Sequence, residues 1–288
     1  MAVVKIKKGN GEFYYLKNSY RKNGKVITKQ VYLGKELPEE KALALKKEKL
    51  MLEQKNELNK KLELIKNNFK KEWNKTPESM KEKELKEIAI AFTYNTNAIE
   101  GSKITLEETR EILEKQIAPN KPLRDIKETE NHATIFLEML TTKREITEEL
   151  ILKWHKKIFE QSQPQIAGKF RDYSVRVGEY RAPDWQDIQK LMKELLQLIN
   201  TKEKINILTG VAKIHYKFEK IHPFGDGNGR IGRLLMNYML WNAGYPVIII
   251  SYKKRKAYYK ALTREENKFI NYFIRYYLTI HKKTSKNI

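Results

Sequence analysis

The most unusual stretch of this 288-residue chain reads His222-Pro223-Phe224-Gly225-Asp226-Gly227-Asn228-Gly229-Arg230-Ile231-Gly232-Arg233. Apolar residues recur at helical spacing on both sides of it, from 211 to 221 before it and from 234 to 239 after it. The pattern predicts two buried helices joined by a glycine-rich loop. Because a helical pattern precedes the loop, its match to G-x-G-x-x-G does not indicate a dinucleotide-binding turn, which must follow a strand.

The glycines and arginines of this stretch are suited to binding an anion. Gly225, Gly227 and Gly229 would let backbone N–H groups approach a ligand, and the positive end of the helix dipole favours phosphate there. Arg230 and Arg233 are three residues apart on one helical face, where two guanidinium forks can hold anionic oxygens. Only twelve of the 58 Lys and Arg residues are arginine, and two of those twelve fall here.

Two further side chains of the stretch could supply chemistry. Asp226 offers oxygen ligands of the kind that Mg²⁺ takes when it bridges phosphates. His222 is a natural general base near neutral pH. Together with the anion-binding groups, these residues predict a site for phosphoryl or nucleotidyl transfer. The alternative is a glycine-rich connection between helices that carries no chemistry.

Composition limits the classes of protein that this chain can belong to. Hydrophobic residues make up 40% and aromatic residues 10%, which is ordinary for a globular protein, and cysteine is absent. No disulfide, zinc–cysteine site or thiolate nucleophile can therefore form. The N-terminus has no targeting pattern, and apolar runs such as 246–250 are too short to span a membrane. We expect a soluble, cytoplasmic protein with no membrane partner.

The formal net charge of +22 comes mainly from lysines spread along the whole chain. This distribution favours a basic surface without a specific partner, because charge informs on solubility more than on fold. The alternative is non-specific nucleic-acid binding through backbone phosphates, which would require the lysines to lie on one face.

The first 75 residues differ from the rest of the chain. Short β-rich runs between 3 and 33 are separated by Gly9-Asn10-Gly11 and by Asn23-Gly24, which predicts a small antiparallel β appendage. A charged segment without internal Pro or Gly then runs from Pro38 to Trp73 and predicts one long helix.

After residue 76 the patterns are helical apart from one segment. Thr76-Pro77 predicts an N-cap followed by proline at the first helical position, and Thr105-Leu106-Glu107-Glu108 predicts a capping box. The segment from Gly168 to Pro183 predicts a short β-hairpin or flap. The further predicted helices are 123–140, 147–159, 185–200, 206–220, 229–241, 253–265 and 267–279.

The stretch from His222 to Arg233 resembles in full the motif HxFx(D/E)GNGRxxR of the Fic family, whose members transfer AMP from ATP to target proteins. Thr96-Asn97-Ala98-Ile99-Glu100-Gly101 resembles the inhibitory-helix pattern of the Fic subclass in which that helix precedes the core. The flap of the family is similar to 168–171 together with 175–178, and Tyr258-Tyr259 resembles a tyrosine pair of metazoan-type members. The resemblance covers about residues 77–278.

This resemblance implies a mainly α fold, in which a Fic-type helical core carries a short β-hairpin flap. A small antiparallel β appendage and a long charged helix would precede that core. We expect residues 1–36 to form the appendage and 37–75 the long helix. Residues 76–280 would form the Fic domain, with the inhibitory helix at about 77–100, and 281–288 a frayed tail.

The resemblance also implies a role for each matched residue. His222 would take the proton from a Ser, Thr or Tyr hydroxyl of the target, and Asp226 would hold Mg²⁺ or Mn²⁺ on the phosphates of ATP. Arg230 would clamp the phosphates, and Arg233 would hold the γ-phosphate. The implied nucleotide-binding residues are Gly225, Asp226, Gly227, Asn228, Gly229, Arg230, Arg233, Tyr258 and Tyr259.

Regulation and target docking follow from the same resemblance. Glu100, in a motif with Thr96 and Gly101, would pair with Arg233, displace the γ-phosphate and keep the enzyme inactive. In some Fic proteins the equivalent glutamate supports removal of AMP, so de-AMPylation is also implied. The flap residues that would dock the target by strand pairing are Val177, Gly178, Glu179 and Tyr180.

The leading hypothesis is thus an autoinhibited, Mg²⁺-dependent protein adenylyltransferase. Its partners would be ATP, a target protein that could be the chain itself, and a second copy in a homodimer formed through helical faces. One alternative is Fic-type transfer of phosphate, UMP or phosphocholine. The other is a non-enzymatic, basic helical scaffold associated with nucleic acid, in which Val3–Trp73 and the lysine surface do the binding.

The histidines outside the motif have structural interpretations. His155 and His215 fall within apolar helical patterns, which predicts packed, hydrogen-bonded side chains. His132 and His281 are predicted to be peripheral. No spacing of His, Asp and Glu suggests a zinc site.

Overall fold

The computed structural model of this chain describes residues 1–22, 25–201 and 206–284. The chain divides into two compact units, Met1–Glu63 and Leu64–Ile288, whose boundary falls within the long helix. The predicted Asn23-Gly24 turn and the last four residues of the predicted tail lie outside the described residues. The division into appendage, long helix, helical domain and tail, with boundaries after 36, 75 and 280, stays a prediction.

The first unit contains a three-stranded antiparallel sheet of order β1-β2-β3 and the beginning of the long helix α1. Strand alternation puts Leu16 and Leu33 on one face of the sheet, where both are buried and pack with Leu50 of α1. The predicted β appendage and long helix are thereby confirmed. Their bounds are β1 Ala2–Lys8, β2 Gly11–Lys22, β3 Lys25–Gly34 and α1 Glu40–Lys75.

The second unit is helical apart from the predicted flap, a two-stranded hairpin of β4 and β5. No helix in the described part of the chain combines the length and the apolar composition needed to cross a membrane. The elements are α2 Glu78–Ile99, α3 Leu106–Arg110, α4 Leu123–Thr141, α5 Glu148–Phe159, β4 Arg176–Val177, β5 Tyr180–Arg181, α6 Ile188–Asn200, α7 Ile207–Ile221, α8 Asn228–Asn242, α9 Arg255–Leu262 and α10 Glu266–Ile280.

The core of the second unit forms around α8. Ile231, Leu234 and Leu235 of this helix have no exposed surface, and α2, α4, α5 and α7 all pack against it. Phe218 of α7 and Phe159 of α5 are also fully buried in the same cluster. A helix surrounded in this way presents its N-terminus at a fixed point among its neighbours, and the motif loop lies at that point.

Local signals predicted some helix ends and missed others. The capping box of α3 is present: Thr105 Oγ1 accepts from the Glu108 backbone N–H at 3.2 Å, and the Thr105 N–H donates to the Glu108 carboxylate at 2.8 Å. The predicted N-cap at Thr76 is wrong. Its hydroxyl donates instead to the Glu72 carbonyl at 2.9 Å, so it closes α1, and Pro77 occupies the N-cap of α2.

The prediction that His132 is peripheral is wrong, because its side chain is completely buried. Its Nδ1 lies 3.0 Å from the hydroxyl of Thr93, and burial lowers the pKa of His132 well below its usual range. His281 is also partly buried, with Nε2 3.1 Å from the Val247 carbonyl. His132 lies on the inward face of α4, and His281 follows the last residue of α10. Contacts of this kind depend on how helices pack together, which the sequence pattern of one helix does not reveal.

Candidate active site

The loop between α7 and α8 has an unusual backbone. His222 closes α7 with φ 51° and ψ 60°, a left-handed conformation that residues other than glycine seldom adopt. Gly227 precedes α8 with φ 81°, and a Cβ at this position would collide with the ring of Phe159. Glycine is therefore required at 227 both by the backbone conformation and by the close approach of α5.

The side chain of Asn228 stabilises the loop through hydrogen bonds to the backbone of Phe224. Its Oδ1 accepts from the Phe224 N–H and its Nδ2 donates to the Phe224 carbonyl, both at 2.8 Å. The buried ring of Phe224 stacks on His155 with the two centroids 3.8 Å apart. His155 Nδ1 accepts from the Gly168 N–H at 3.0 Å, so its Nε2 donates to the Asp226 carbonyl, also at 3.0 Å. His155 is thus a packed, hydrogen-bonded residue, as predicted, and it holds the loop.

The carboxylate of Asp226 is surrounded by donors. Oδ1 accepts from the Gly227 N–H at 2.6 Å and from Arg230 at 3.4 Å, while Oδ2 accepts from Arg124 at 2.8 Å and from Gln163 at 2.9 Å. Burial acts to raise the pKa of Asp226, but Arg230 and the hydrogen bond from Gln163 outweigh it and hold the pKa below its usual value. The carboxylate is therefore ionised at neutral pH.

Arg230 is buried and held from two sides. Its guanidinium forms a short ion pair with Glu128 of α4 and lies 4.5 Å from the ring centroid of Phe159. Arg124 also binds Glu128, with Nε 2.9 Å from Oε1. Two arginines thus share Glu128 and Asp226, an arrangement that compensates the buried charges and fixes where Arg230 points.

Arg233 is bound to the end of α2. Nε donates to the Thr96 hydroxyl at 2.6 Å, and Nη2 donates to Glu100 Oε1 at 2.6 Å and to the Thr96 carbonyl at 3.2 Å. The side chain of Arg233 is 1% exposed, whereas that of Glu100 is 27% exposed. The pairing of Glu100 with Arg233 that the resemblance implied is present in the structure.

A polar cavity of about 260 Å³ opens beside this ion pair. Gly229 makes room for Glu100 there, because a Cβ at position 229 would collide with Glu100 Oε1. Gly101, which follows Glu100, has φ 98° and turns the chain away from α2. The cavity is lined by Asn97, Glu100, Gly101, Ser102, Arg124, Asp125, Glu128, Asp226 and Arg230.

His222 is partly buried, and its backbone is braced by Arg171. The Nε of Arg171 donates to the His222 carbonyl at 2.9 Å, and its two Nη atoms donate to the carbonyls of Tyr173 and Pro183, each at 2.7 Å. Burial lowers the pKa of His222, an effect that the backbone carbonyl of Glu219 opposes in part. The imidazole is therefore neutral at neutral pH.

The flap hairpin stands next to the loop. Val177 pairs with Tyr180 across the turn, Gly178 has φ 60°, and Val177 and Glu179 are exposed. The Tyr180 hydroxyl donates to the Lys220 carbonyl at 3.0 Å, which joins β5 to the end of α7. The flap is thus held at its base and presents its turn to solvent.

The two tyrosines of α9 occupy different environments. Tyr258 is buried, with its hydroxyl 2.8 Å from His215 Nε2 and its ring centroid 6.0 Å from the guanidinium of Arg233. Tyr259 is 41% exposed, and its hydroxyl donates to the Ile99 carbonyl at 3.3 Å. His215 is a packed, hydrogen-bonded histidine as predicted, and burial lowers its pKa to about 3.

Several residues of the site were not predicted from the sequence. Arg124, Glu128 and Gln163 bind the motif residues Asp226 and Arg230 from segments that are far away along the chain. The only sequence signal that could have suggested Glu128 is a carboxylate placed on the inward face of a helix, four residues from an arginine. The structure places the predicted motif residues in the loop and in the first two turns of α8, and it brings Glu100 to Arg233.

Comparison with known proteins agrees with this geometry. A sequence model of the Fic/DOC family matches residues 145–240, which include the whole motif loop. The protein adenylyltransferase Fic of Nematostella vectensis is 33% identical over 207 residues, covering 69% of this chain and 48% of the relative. This chain belongs to the Fic/DOC family. It spans less than half the length of the curated Fic relatives that it matches.

Solved Fic structures have the same fold. A Fic domain-containing signalling protein from Bacteroides thetaiotaomicron has a TM-score of 0.66 and 26% identity, covering 78% of this chain and 96% of the other. Fic-1 from C. elegans has a TM-score of 0.69 and 26% identity, and the match covers 88% of this chain and 78% of the Fic-1 chain. The predicted mainly α, Fic-type fold is therefore confirmed.

Proposed function

We propose that this chain is a protein adenylyltransferase that transfers AMP from ATP to a hydroxyl of a target protein. The observation that carries the proposal is the convergence around one loop of a neutral His222, an ionised Asp226 and the guanidinium groups of Arg230 and Arg233. A base, a metal ligand and two cationic forks are the parts that transfer of a phosphate group requires. The relatives named protein adenylyltransferase support the same activity.

In the proposed reaction, a Ser, Thr or Tyr oxygen of the target attacks the α-phosphorus of ATP. A new O–P bond forms as the bond from the α-phosphorus to the bridging oxygen breaks, and pyrophosphate leaves with that electron pair. His222 accepts the proton of the hydroxyl. Its lowered pKa suits this role, because a neutral imidazole can accept a proton at neutral pH.

The phosphates would be held by the N-terminus of α8 and by its two arginines. The first N–H groups of a helix have no partner within the helix, and they attract anions. Asn228 would contribute only its N–H, because both polar atoms of its side chain are bound to Phe224. Gly225, Gly227 and Gly229 would allow the close approach, and Arg230 and Arg233 would neutralise phosphate oxygens.

Mg²⁺, or Mn²⁺ in its place, is the proposed metal. Mg²⁺ is commonly held by one or two carboxylates together with substrate phosphates, and the ionised, 40%-exposed side chain of Asp226 fits that donor set. Within residues 1–22, 25–201 and 206–284, no cluster of three or more His, Asp or Glu could hold a metal by itself. When bound with ATP, the ion would neutralise charge on the phosphates.

Glu100 would keep the enzyme inactive. Its carboxylate accepts a hydrogen bond from the guanidinium of Arg233. The γ-phosphate of ATP would otherwise bind to that guanidinium. Thr96 and Gly101 support this arrangement, since Thr96 fixes the orientation of Arg233 and Gly101 ends α2 at the required point. Removal of the carboxylate would free Arg233 for ATP. The same carboxylate could position water for the reverse reaction, so de-AMPylation is part of the proposal.

The remaining contacts would orient the nucleoside and the target. Tyr259 is exposed near the end of α2 and would contact the adenine or ribose, with Tyr258 packed behind it. Val177 and Glu179 are exposed at the flap turn beside Gly178, and with Tyr180 this strand would pair with an extended target segment. A cytoplasmic location, modification of the chain itself and a homodimer through helical faces also stay part of the proposal.

The transferred group can be identified with the Glu100→Gly variant. The purified variant is incubated with Mg²⁺ and ATP labelled on either the α- or the γ-phosphate, in the presence of a cell extract as a source of targets. We expect protein to retain the α-label and not the γ-label, and pyrophosphate to be released. Transfer of the γ-label would replace the proposal with phosphotransfer.

A second variant assigns the chemistry to the site. His222→Ala in the Glu100→Gly background should abolish retention of the α-label while ATP still binds, because the base is lost and the phosphate contacts stay. Lys156→Gln serves as the control, since this lysine lies outside the loop in α5. Retention of α-label at an unchanged rate by the His222→Ala variant would refute the proposed mechanism.

A further inference from the structure

The β-sheet of the first unit has a second face, opposite the one that packs on α1. Strand alternation puts Phe13, Tyr15 and Tyr32 on this face, since their neighbours Leu16 and Leu33 point to the buried side. The ring of Tyr32 lies 6.2 Å from Phe13 and 5.4 Å from Tyr15, measured between centroids. Tyr32 is 51% exposed. Three adjacent aromatic rings thus form an accessible platform on this face.

Two lysines lie on the same face of the sheet as the platform. Lys8 Nζ lies 5.3 Å from the centroid of the Tyr15 ring, so its charge stands over the aromatic face. Lys17 follows Tyr15 by two residues on the same strand and therefore lies on the same face of the sheet. The platform thus combines aromatic rings with two cationic side chains on the same face of the sheet.

The positive charge of this unit is concentrated in the sheet. Residues 1–35 contain nine Lys and Arg and one acidic residue, Glu12. Residues 36–63 contain seven Lys and seven Glu, so this part of the unit has no net charge. A basic surface that arose only from lysine-rich composition would extend equally over both parts. The sheet is therefore distinct from the helix that follows it.

We propose that this sheet face binds single-stranded nucleic acid. Aromatic rings offer stacking surfaces to unpaired bases of any sequence, and lysines beside them bind the phosphates between those bases. An acidic protein segment is the alternative partner, since it would complement the positive charge. Such a segment would not explain why three aromatic rings lie together beside the lysines. Base pairs of a duplex are stacked on each other and do not offer their faces to such a platform. The nucleic acid is thus a partner of the first unit and not a substrate of the site around His222.

The electrostatic part of the proposal is tested by the salt dependence of binding. The full-length protein is titrated into a labelled single strand of about twelve nucleotides, a length that a small domain can cover. The logarithm of affinity should fall linearly with the logarithm of salt concentration, and the Lys8→Gln/Lys17→Gln variant should reduce that slope by about 1.4, since each single-strand phosphate contact contributes about 0.7. Lys41→Gln/Lys49→Gln, which removes the same charge from exposed positions of α1, should leave the slope unchanged.

The stacking part is tested with the rings. Tyr32→Ala and Tyr15→Ala should each weaken binding of the single strand by about tenfold or more, as expected for the loss of one base–aromatic contact. Trp185→Ala, which removes a comparably exposed ring from the second unit, should have no effect. His222→Ala should also bind normally, which separates this proposal from the proposed enzyme activity.

Three results would overturn the proposal. The first is an affinity for a duplex of the same length that equals or exceeds the affinity for the single strand. The second is binding that responds to the lysine variants of α1 as much as to those of the sheet. The third is the absence of binding at low salt by a protein whose circular dichroism spectrum and melting temperature are normal.

Discussion

Arg233 is the residue on which the proposed inhibition and the proposed nucleotide complex both depend. Its guanidinium is almost fully buried, and a buried charge that loses its partner costs about 3–5 kcal/mol. Glu100 supplies that partner at present, and a γ-phosphate could supply it equally well. Exchange of one anion for another at the same guanidinium explains how α2 could control the site without any change in the core.

A second carboxylate, that of Glu219, interacts electrostatically with Arg233. Glu219 of α7 is 13% exposed, and its Oε1 has no hydrogen-bond partner in the described structure. Burial raises its pKa to about 7, although Arg233 acts to lower it. His215 lies 3.8 Å away but is neutral at this pH, because burial lowers its pKa to about 3, so the contact is not an ion pair. Glu219 therefore changes its charge near neutral pH.

We predict that Glu219 makes the protein less stable as the pH rises. Its pKa is about 7 in the folded state, above the ordinary 4.5, so folding favours the protonated form and stability falls between those two values. Glu219→Gln should therefore raise the free energy of unfolding at pH 8, by at most about 3 kcal/mol, and leave it unchanged near pH 4.5. Urea denaturation at both pH values measures the difference.

A matched control is available in α2. Glu82 is exposed, so Glu82→Gln should change stability little at either pH. An equal effect of Glu219→Gln at both pH values would contradict the interpretation, because it would show that the side chain acts through packing and not through its charge.

The residues of the motif could be identified from the sequence, but the residues that bind them could not. His222, Asp226, Arg230 and Arg233 could be identified as candidate site residues because they are close together in the sequence. Their partners could not, since Arg124 and Glu128 each lie 102 residues before the side chain that they bind. Such contacts depend on how α4 packs against α8, which no local pattern determines.

At the scale of elements, the flap and the motif loop are joined by one side chain. Arg171 is 4% exposed and donates to the carbonyl of His222 in the loop and to those of Tyr173 and Pro183, which lie on either side of the hairpin strands. The planar guanidinium presents its N–H donors in a rigid fork, which suits three carbonyls that lie in different directions. Movement of the flap is therefore coupled to the backbone of His222.

We predict that Arg171→Lys loosens the flap. Lysine keeps the charge but cannot make the three hydrogen bonds, each of which contributes about 1.5–3 kcal/mol when the donor is charged. Amide hydrogen exchange between 173 and 183 should accelerate by about tenfold or more, while exchange in α10 stays the same. Exchange measured by mass spectrometry tests this.

Arg181→Lys is the control for that experiment. Arg181 lies in the same flap, is exposed, and pairs only with Asp184 among the contacts of the described residues. Its replacement should leave exchange unchanged. If both variants accelerate exchange equally, Arg171 has no special role in holding the flap.

The elements themselves were largely predictable, and the exceptions have local causes. The capping box of α3 and the flap hairpin followed from side chains and glycines that are close together. The predicted helix at 253–265 is shorter: Tyr252–Lys254 form a 3₁₀ turn, and α9 ends at Leu262. Helical periodicity cannot distinguish one helix from two that meet at a turn, because both bury the same kind of residue.

At the scale of the whole molecule, the positive charge is not uniform. It is concentrated in the β-sheet of the first unit, while the helix segment that follows is neutral. A basic surface could be predicted from the sequence, but its position on the molecule could not. The side chains that share a face of a sheet are known only when the register of the strands is known. A chain with separate sites for nucleotide and for nucleic acid would explain why two compact units are joined in one protein.

The proposed inhibition requires Glu100 and the γ-phosphate of ATP to compete for Arg233. Calorimetric titration of the wild type and of Glu100→Gly, each with ATP and with AMP in the presence of Mg²⁺, tests it most directly. We expect the variant to bind ATP at least about tenfold more tightly than the wild type, while its affinity for AMP, which has no γ-phosphate, hardly changes. Equal ATP affinities, or an equal gain for AMP, would contradict the account.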